Sequence, residues 1–451
     1  MNKAYIAFDL GASSGRLMLG IYKDGQVELE EVHRFPNDPV VMNGTMYWDI
    51  PRLFHEMKQG LKKVALRQDV AIQSMGIDTW GVDGAWIDDN GQMINLPIHY
   101  RDGRTVKVIE EVESVLSEQA LYNLTGIQKA AFNTIYQIYH DKKYNPIIRD
   151  YGKKWLFTPD LLGYLFTGNL YNERTIASTS GLIDVETKGY SQEIFTQLGM
   201  DIEVMSKLVS PGEQVGTLTQ TIQEETGLGP IPVVAVGSHD TASAVVGAKI
   251  EKENELYLVC GTWCLMGLEV SQAQLGEKAR LSGFTNEGSA RGKFRLLKNI
   301  NGLWILQQLK KCLNDKGLKV DFPDIIEEAK KSQHHYAINI ADKRFMAPIN
   351  MEQEIIAACK ESYGIGLSSI GEVATAVYNG LGQLYKETVE QFEALIGEDI
   401  TTIHMVGGGT KDAHLCEVVK RATGKEVQKG TTEASAMGNV LVQLEAMGKL
   451  C

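Results

Sequence analysis

The chain of 451 residues is too long for one ordinary hydrophobic core, so two domains are the natural expectation. Its 43% hydrophobic and 23% charged residues are those of a globular protein, and no apolar run approaches bilayer-spanning length, which argues against a membrane. A net charge of −12 argues against nucleic acid as a partner, because backbone-phosphate binding depends on clustered Lys and Arg.

Met1-Asn2-Lys3 leads straight into a strand-like run ending at Asp9, with no small-residue cleavage site behind it. The expected location is the cytoplasm. The six cysteines (Cys260, Cys264, Cys312, Cys359, Cys416 and Cys451) have no His or second Cys pair at zinc spacing, so reduced, buried thiols are expected.

The opening stretch AYIAFDLGASSGRLMLGIYKDGQVELEEVHRF reads as a three-strand meander, with Asp24-Gly25 as a hairpin signal. Pro51 opens a helix with an apolar stripe at Leu53, Phe54, Met57, Leu61, Val64 and Ala65. A strand at Ile72–Asp78 then ends in the polar cluster Asp78-Thr79-Trp80-Gly81-Val82-Asp83. Strand, crossover helix and strand make an α/β architecture. The middle, from about 105 to 230, is mixed and more helical. A buried strand at Val233–Val236 follows, then Gly237-Ser238-His239-Asp240 and a small-residue helix, Thr241–Ala248.

At residue 254 the opening pattern returns: ELYLVCGTWCLMGLEV is again strand, Gly/Thr turn, strand. This weak internal duplication places the second half from near residue 245. An amphipathic helix spans 370–397, a strand Ile403–Val406 runs into Gly407-Gly408-Gly409, and helices at about 411–423 and 433–447 close the chain.

Several segments suit phosphate and sugar chemistry. The turn Gly11-Ala12-Ser13-Ser14-Gly15 exposes backbone N–H groups with little side-chain bulk, beside Arg16 and the carboxylate of Asp9. Amides and Arg match phosphate oxygens, and a carboxylate matches the shell of Mg²⁺; an ordinary hairpin turn is the alternative. CGTW at 260–263 is the second such turn, with Thr262 as its candidate donor; alone it reads as a structural hairpin, and it gains weight as the repeat of the first. The three glycines at 407–409 allow close approach of a phosphate or a flat ligand, or make a tight structural turn; they fit neither the Walker A nor the dinucleotide pattern. Asp240 at a strand-to-helix junction suits a general base, a helix cap, or both. Asp78, Trp80 and Asp83 suit sugar hydroxyls and an apolar sugar face, or make a strand terminus with solvated acids. Asn299 precedes an amphipathic helix and reads as a polar contact or a cap. His334-His335 reads as a solvated pair.

DLGASSGRLMLG, HRFPN, GIDTWGVD, YRD at 100–102, SHDTASAV, GTWCLMG and LKNINGLWILQ together resemble the FGGY carbohydrate kinases, members of the actin and hexokinase superfamily, and within them the branch acting on L-rhamnulose. The resemblance runs from about residue 4 to 447. It implies two actin-like (ribonuclease H-like) α/β domains, 1–244 and 245–451, flanking a deep catalytic cleft. The first would carry the sugar site and first phosphate loop, and the second the nucleotide.

The implied activity is transfer of the ATP γ-phosphate to the 1-hydroxyl of a small-molecule ketose, L-rhamnulose. By the same resemblance Ala12, Ser13, Ser14, Gly15 and Arg16 form the first phosphate loop, Asp9 holds Mg²⁺, and Thr262, Gln307 and Gly408 line the ATP site. Gly81, Asp83, His239, Asp240, Thr241 and Asn299 surround the sugar, with Asp240 as general base. Gly84 stands where relatives carry a bulkier apolar residue, which implies a roomier sugar pocket. Thr410-Lys411-Asp412 and Lys420-Arg421 also depart from the family near the nucleotide loop. The alternatives are an FGGY kinase for another ketose or polyol, such as xylulose or fuculose, and a sugar- or nucleotide-binding regulator without turnover.

Overall fold

The computed structural model describes residues 1–451 apart from 251, 262, 347 and 449–451. Contacts group the chain into two units. The first comprises Met1–Gly247, Glu269–Leu296 and the chain from Ser435 onward; the second comprises Ala248–Leu268 and Leu297–Ala434.

The first unit is built on a sheet ordered Gln214–Thr217, Pro232–Val234, Val70–Thr79, Asn2–Leu10, Ser14–Lys23, Gln26–Pro36. The expected meander is present, and Asp24 (φ 51°) and Gly25 (φ 81°) make its hairpin in the left-handed region that the tight turn demands. Residues 4–10 are buried without a break, as a central strand covered on both faces should be. Gln26–Pro36 alternates and carries Glu28, Glu30 and Glu31, charges that keep an edge strand from pairing further.

The helix Ile50–Ala65 starts where Asp49 caps the amide of Arg52 and Pro51 occupies the first turn; it buries Ile50, Leu53, Met57, Leu61 and Val64. The strand expected at Val233–Val236 is shorter, Pro232–Val234. The middle region folds as short helices around Trp86, Trp155 and Phe157, which lie on the paired strands Gly84–Ile87 and Lys154–Phe157.

The last helix, Ala434–Ala446, brings Asn439 and Gln443 into the first unit. Gln443 accepts from Ser74 Oγ at 2.7 Å and donates to the carbonyl of Ile6 at 2.9 Å.

In the second unit, Glu255–Cys260 pairs antiparallel with Trp263–Val270 and parallel with Thr402–Val406, which pairs parallel with Glu426–Lys429. The sheet order Thr285–Gly288, Phe294–Asn301, Trp263–Val270, Glu255–Cys260, Thr402–Val406, Glu426–Lys429 echoes that of the first half, with two strands following parallel to the first and with the extra edge strand Thr285–Gly288 inserted before Phe294–Asn301. The duplication is therefore one of topology, and it is the ribonuclease H-like layout. The 27-residue helix Ile370–Ile396 carries a capping box of Ser369 and Glu372.

Two readings change. Asn299 belongs to the strand Phe294–Asn301 and caps no helix; Leu303 precedes the helix Trp304–Asp315. His334 is half-buried against Tyr336, with ring centroids 4.8 Å apart, so only His335 is exposed. Among the described cysteines none is in a disulfide, and Cys260, Cys264, Cys359 and Cys416 are buried; Cys451 lies outside the described residues. No described helix is long and apolar enough to cross a membrane.

Candidate active site

Register brings the chemistry of the first unit to one edge of its sheet. Asp9 sits opposite Asp78 in the parallel pair and opposite Arg16 in the antiparallel pair. One residue beyond Asp78, the amide of Thr79 donates to the carbonyl of Ser238 at 2.9 Å, next to His239 and Asp240. The C-terminal ends of three parallel strands thus meet, the place where open α/β sheets bind ligands.

The turn after Asp9 is held open from behind. Gly11 N–H donates to Ser14 O at 3.0 Å, while Asn37 uses its amide on Ser13 O and its side chain on Gly11 O. Asn37 comes from the HRFPN segment. Among the described residues the amides of Ala12 and Ser13 find no internal acceptor, and Ser13 is exposed. Gly15 faces the Phe35 ring so closely that a Cβ there would lie 2.3 Å from it. Arg16 forms an ion pair with Asp9.

Asp240 begins the helix Asp240–Ala248. Its Oδ1 accepts from the amide of Thr241 at 2.6 Å and from Thr241 Oγ1 at 3.1 Å, and lies 3.5 Å from His239 Nε2. Among the described residues Oδ2 accepts nothing, and 28% of the side-chain surface stays exposed. The helix-terminus role and an available oxygen therefore coexist. Crowding by protein raises its pKa, and His239, Thr241 and Arg295 partly offset that.

The approach to Asp240 is fixed by a buried carboxylate. Glu173 accepts from the amide of Ser238 at 3.2 Å, and Thr175 Oγ1 accepts from the amide of His239 at 3.2 Å. Burial pushes Glu173 up to about 7, despite donors from Thr175, Ile176 and Ser238. On the ring of His239, Nδ1 lies 3.0 Å from Arg295 Nη2 and 3.1 Å from Glu287 Oε2.

Gly81 packs between Thr179 and His239: a Cβ there would sit 3.5 Å from His239 Nε2. The next residue, Val82, holds φ at 68°, a strained value for a β-branched residue, secured by Thr179 on its N–H and Thr134 on its carbonyl. Asp83 is fully buried, its carboxylate receiving Trp48 Nε1 (2.7 Å), Trp80 Nε1 (3.3 Å), the amide of Tyr100 (3.0 Å) and Gln137 Nε2 (3.0 Å). Its oxygens are committed to the protein. The Cβ that Gly84 lacks would strike the Leu156 carbonyl at 2.3 Å and the Trp155 ring at 2.8 Å, so that space is filled and adds no room to a pocket.

In the second unit Gly408 is exposed, with nothing within 4 Å of a Cβ there, at the start of the turn Gly408–Lys411. Gly407 and Gly409 press against Cys260. Gln307 is half-buried on the helix Trp304–Asp315, and Asn299 is exposed. Thr262 lies outside the described residues.

These groups fit a phosphate chain with a hard cation. Open amides and Arg16 offer donors, and oxygen ligands stand nearby. Burial, then the charges of Asp9 and Asp240, push Asp78 well above the carboxylate range, and its Oδ1 is buried without a hydrogen-bond partner. No group of three or more His, Cys, Asp or Glu able to hold a metal occurs among the described residues. Mg²⁺ binds through one or two carboxylates and keeps waters and phosphate oxygens, and Asp9 at the strand end is a ligand of that kind.

The fold and this edge of acids, open amides and an available carboxylate suit phosphoryl transfer. The chain belongs to the FGGY family of carbohydrate kinases: the N-terminal domain model matches residues 4–247 and the C-terminal domain model residues 256–447. It is 38% identical over 450 residues to the rhamnulokinase of Oceanobacillus iheyensis (100% of this chain, 94% of the relative). It is 37% identical to that of Bacteroides thetaiotaomicron (100% and 92%). In fold it matches a xylulose kinase from Lactobacillus acidophilus with a TM-score of 0.82 at 16% identity, covering 99% of this chain and 90% of that one. The glycerol kinase of Plasmodium falciparum gives 0.80 at 16% identity, with the same coverage.

Proposed function

We propose that this kinase phosphorylates L-rhamnulose on its 1-hydroxyl, giving L-rhamnulose 1-phosphate and ADP. The observation that carries the chemistry is Asp240, with one carboxylate oxygen held by Thr241 and the other available at the strand ends. Full-length likeness to the two rhamnulokinases supports the choice of sugar.

In this reading Asp240 Oδ2 takes the proton of the attacking hydroxyl, whose oxygen bonds to the γ-phosphorus as the bond to ADP breaks. Transfer is direct, without a phosphoenzyme. Gly81, His239, Thr241 and Asn299 hold the sugar, while Asp83 acts from beneath by fixing the Trp48–Trp80 pair. The turn Ala12–Arg16 grips phosphate oxygens, and Thr262, Gln307 and Gly408 line the nucleotide site. Asp9 holds Mg²⁺, which supplies positive charge to the phosphate oxygens when bound. A cytoplasmic location belongs to the same reading.

Phosphorus NMR of the product formed from ATP and L-rhamnulose tests it. A phosphorus signal coupled to two methylene protons supports transfer to the 1-hydroxyl; coupling to a single methine proton, or no sugar phosphate, overturns it.

A further inference from the structure

Behind the proposed base lies a buried ion pair that the reaction as stated does not use. Arg295 has no exposed surface, and its Nη2 lies 2.9 Å from Glu287 Oε2. Its Nε donates to the carbonyl of Gly288 at 3.0 Å, and its Nη1 is buried without a partner. Both residues sit on the hairpin 285–296, remote in sequence from His239 and Asp240.

Stability is a weak reason for such a pair. Taking two charges out of water is costly, and apolar replacements of similar volume are often neutral or stabilising. The orphaned Nη1 adds to that cost. What the pair does touch is His239. A guanidinium carries only donors, so Nη2 at 3.0 Å from Nδ1 requires a lone pair on that nitrogen. A proton on Nδ1, aimed at Glu287 Oε2, would set two donors against each other. With Nδ1 accepting from Nη2 in this way, Nε2 carries the proton, on the nitrogen 3.5 Å from Asp240 Oδ1.

We infer that Glu287 and Arg295 are positioning residues for phosphoryl transfer: they hold His239 with Nε2–H turned toward Asp240, so that Oδ1 stays occupied and Oδ2 is left for the sugar hydroxyl. This rests on the reading of Asp240 as the base. Glu287 keeps Arg295 in place and balances its charge. Burial alone would raise Glu287, but Arg295 and His239 outweigh it and hold the carboxyl below its usual range. The titratable and charged groups around Asp240 are His239 beside it, Arg295 from the hairpin, Asp78 from the strand Val70–Thr79, and Glu173 through the Ser238 amide.

The test compares Glu287→Gln, Arg295→Lys and Arg295→Met by steady-state kinetics across pH, with Asp240→Asn alongside. Both Glu287→Gln and Arg295→Met are expected to lower kcat by on the order of tenfold or more, with the KM for ATP unchanged. The acidic limb of kcat/KM should move in opposite directions. Arg295→Met removes a charge that favours the ionised base and shifts the limb to higher pH. Glu287→Gln leaves that charge unbalanced and shifts it to lower pH. Arg295→Lys should recover part of kcat. If Arg295→Met fails to fold, the isosteric Glu287→Gln decides alone. Parental kcat and an unmoved limb in Glu287→Gln, while Asp240→Asn is inactive, overturn the positioning role and leave the base intact. Parental activity in Asp240→Asn overturns the reading beneath it.

Discussion

Asn439 Nδ2 donates to Asp78 Oδ2 at 2.6 Å, joining two residues 361 positions apart. The contact is fully buried, and it gives Asp78 its hydrogen bond while Oδ1 has none. Asn439→Leu should leave that carboxyl wholly unsatisfied in the protein interior. The expected cost is about 1–3 kcal/mol in urea unfolding, the penalty of stranding a buried polar group. Unchanged stability would show that Asp78 finds another donor.

Gly15 can be tested against Phe35. The ring is buried, so it cannot swing away cheaply when a Cβ arrives 2.3 Å from it. Gly15→Ala should destabilise by about 1–3 kcal/mol and weaken ATP binding by distorting the turn. Adding Phe35→Leu should return part of both. Additive losses in the double variant would separate the two residues.

Asp83 and His99 pull the pH dependence of stability in opposite directions. Burial raises Asp83 to about 6, against its bonds from Trp48 and Gln137, so the folded state binds this proton more tightly. Its stabilising share is present below the ordinary carboxyl pKa and is lost as pH rises through about 6. Burial, then Arg101, lowers His99 to about 4, and its share is gained as pH rises from there toward 6.5. The parent therefore partly cancels the two. Asp83→Asn removes one: its stability relative to the parent should climb by about 2–3 kcal/mol between pH 4 and 7. A flat difference across that range in chemical unfolding would contradict the assignment. A constant offset from altered hydrogen bonds would not.

Asp240→Asn keeps the shape of the helix terminus but removes the proton acceptor. A fall in kcat of on the order of 10² or more is expected, with ATP affinity largely kept. Arg16→Ala should instead raise the KM for ATP, since Arg16 stands beside the open amides of the first turn. An unaltered KM and kcat in Arg16→Ala would remove it from the phosphate site.

The meander, the helix after Pro51 and the long helix before Gly397 were legible because local pattern and turn chemistry agree with the final packing. Asp24-Gly25 and Pro51 are local signals, readable within a few residues. What the sequence hid is what depends on register between distant segments. Nothing local in the hairpin 285–296 announces that Arg295 will reach His239, nor in the last helix that Asn439 will meet Asp78. Asn37 was visible only as part of a motif; its clasp on Ser13 and Gly11 appears once the third strand lies beside the second. Gly84 misled for the same reason. Its missing side chain looked like space, but Trp155 and Leu156, about 70 residues later, fill it.

The central claim, an ATP-dependent kinase for L-rhamnulose, is tested most directly by kcat/KM for ADP release with Mg-ATP. The panel is L-rhamnulose, L-fuculose, D- and L-xylulose, L-ribulose and glycerol. The account predicts a clear preference for L-rhamnulose, abolished in Asp240→Asn. Preference for another acceptor would contradict the substrate, and the absence of ADP release with every sugar, in a protein that still binds ATP, would contradict the catalytic reading itself.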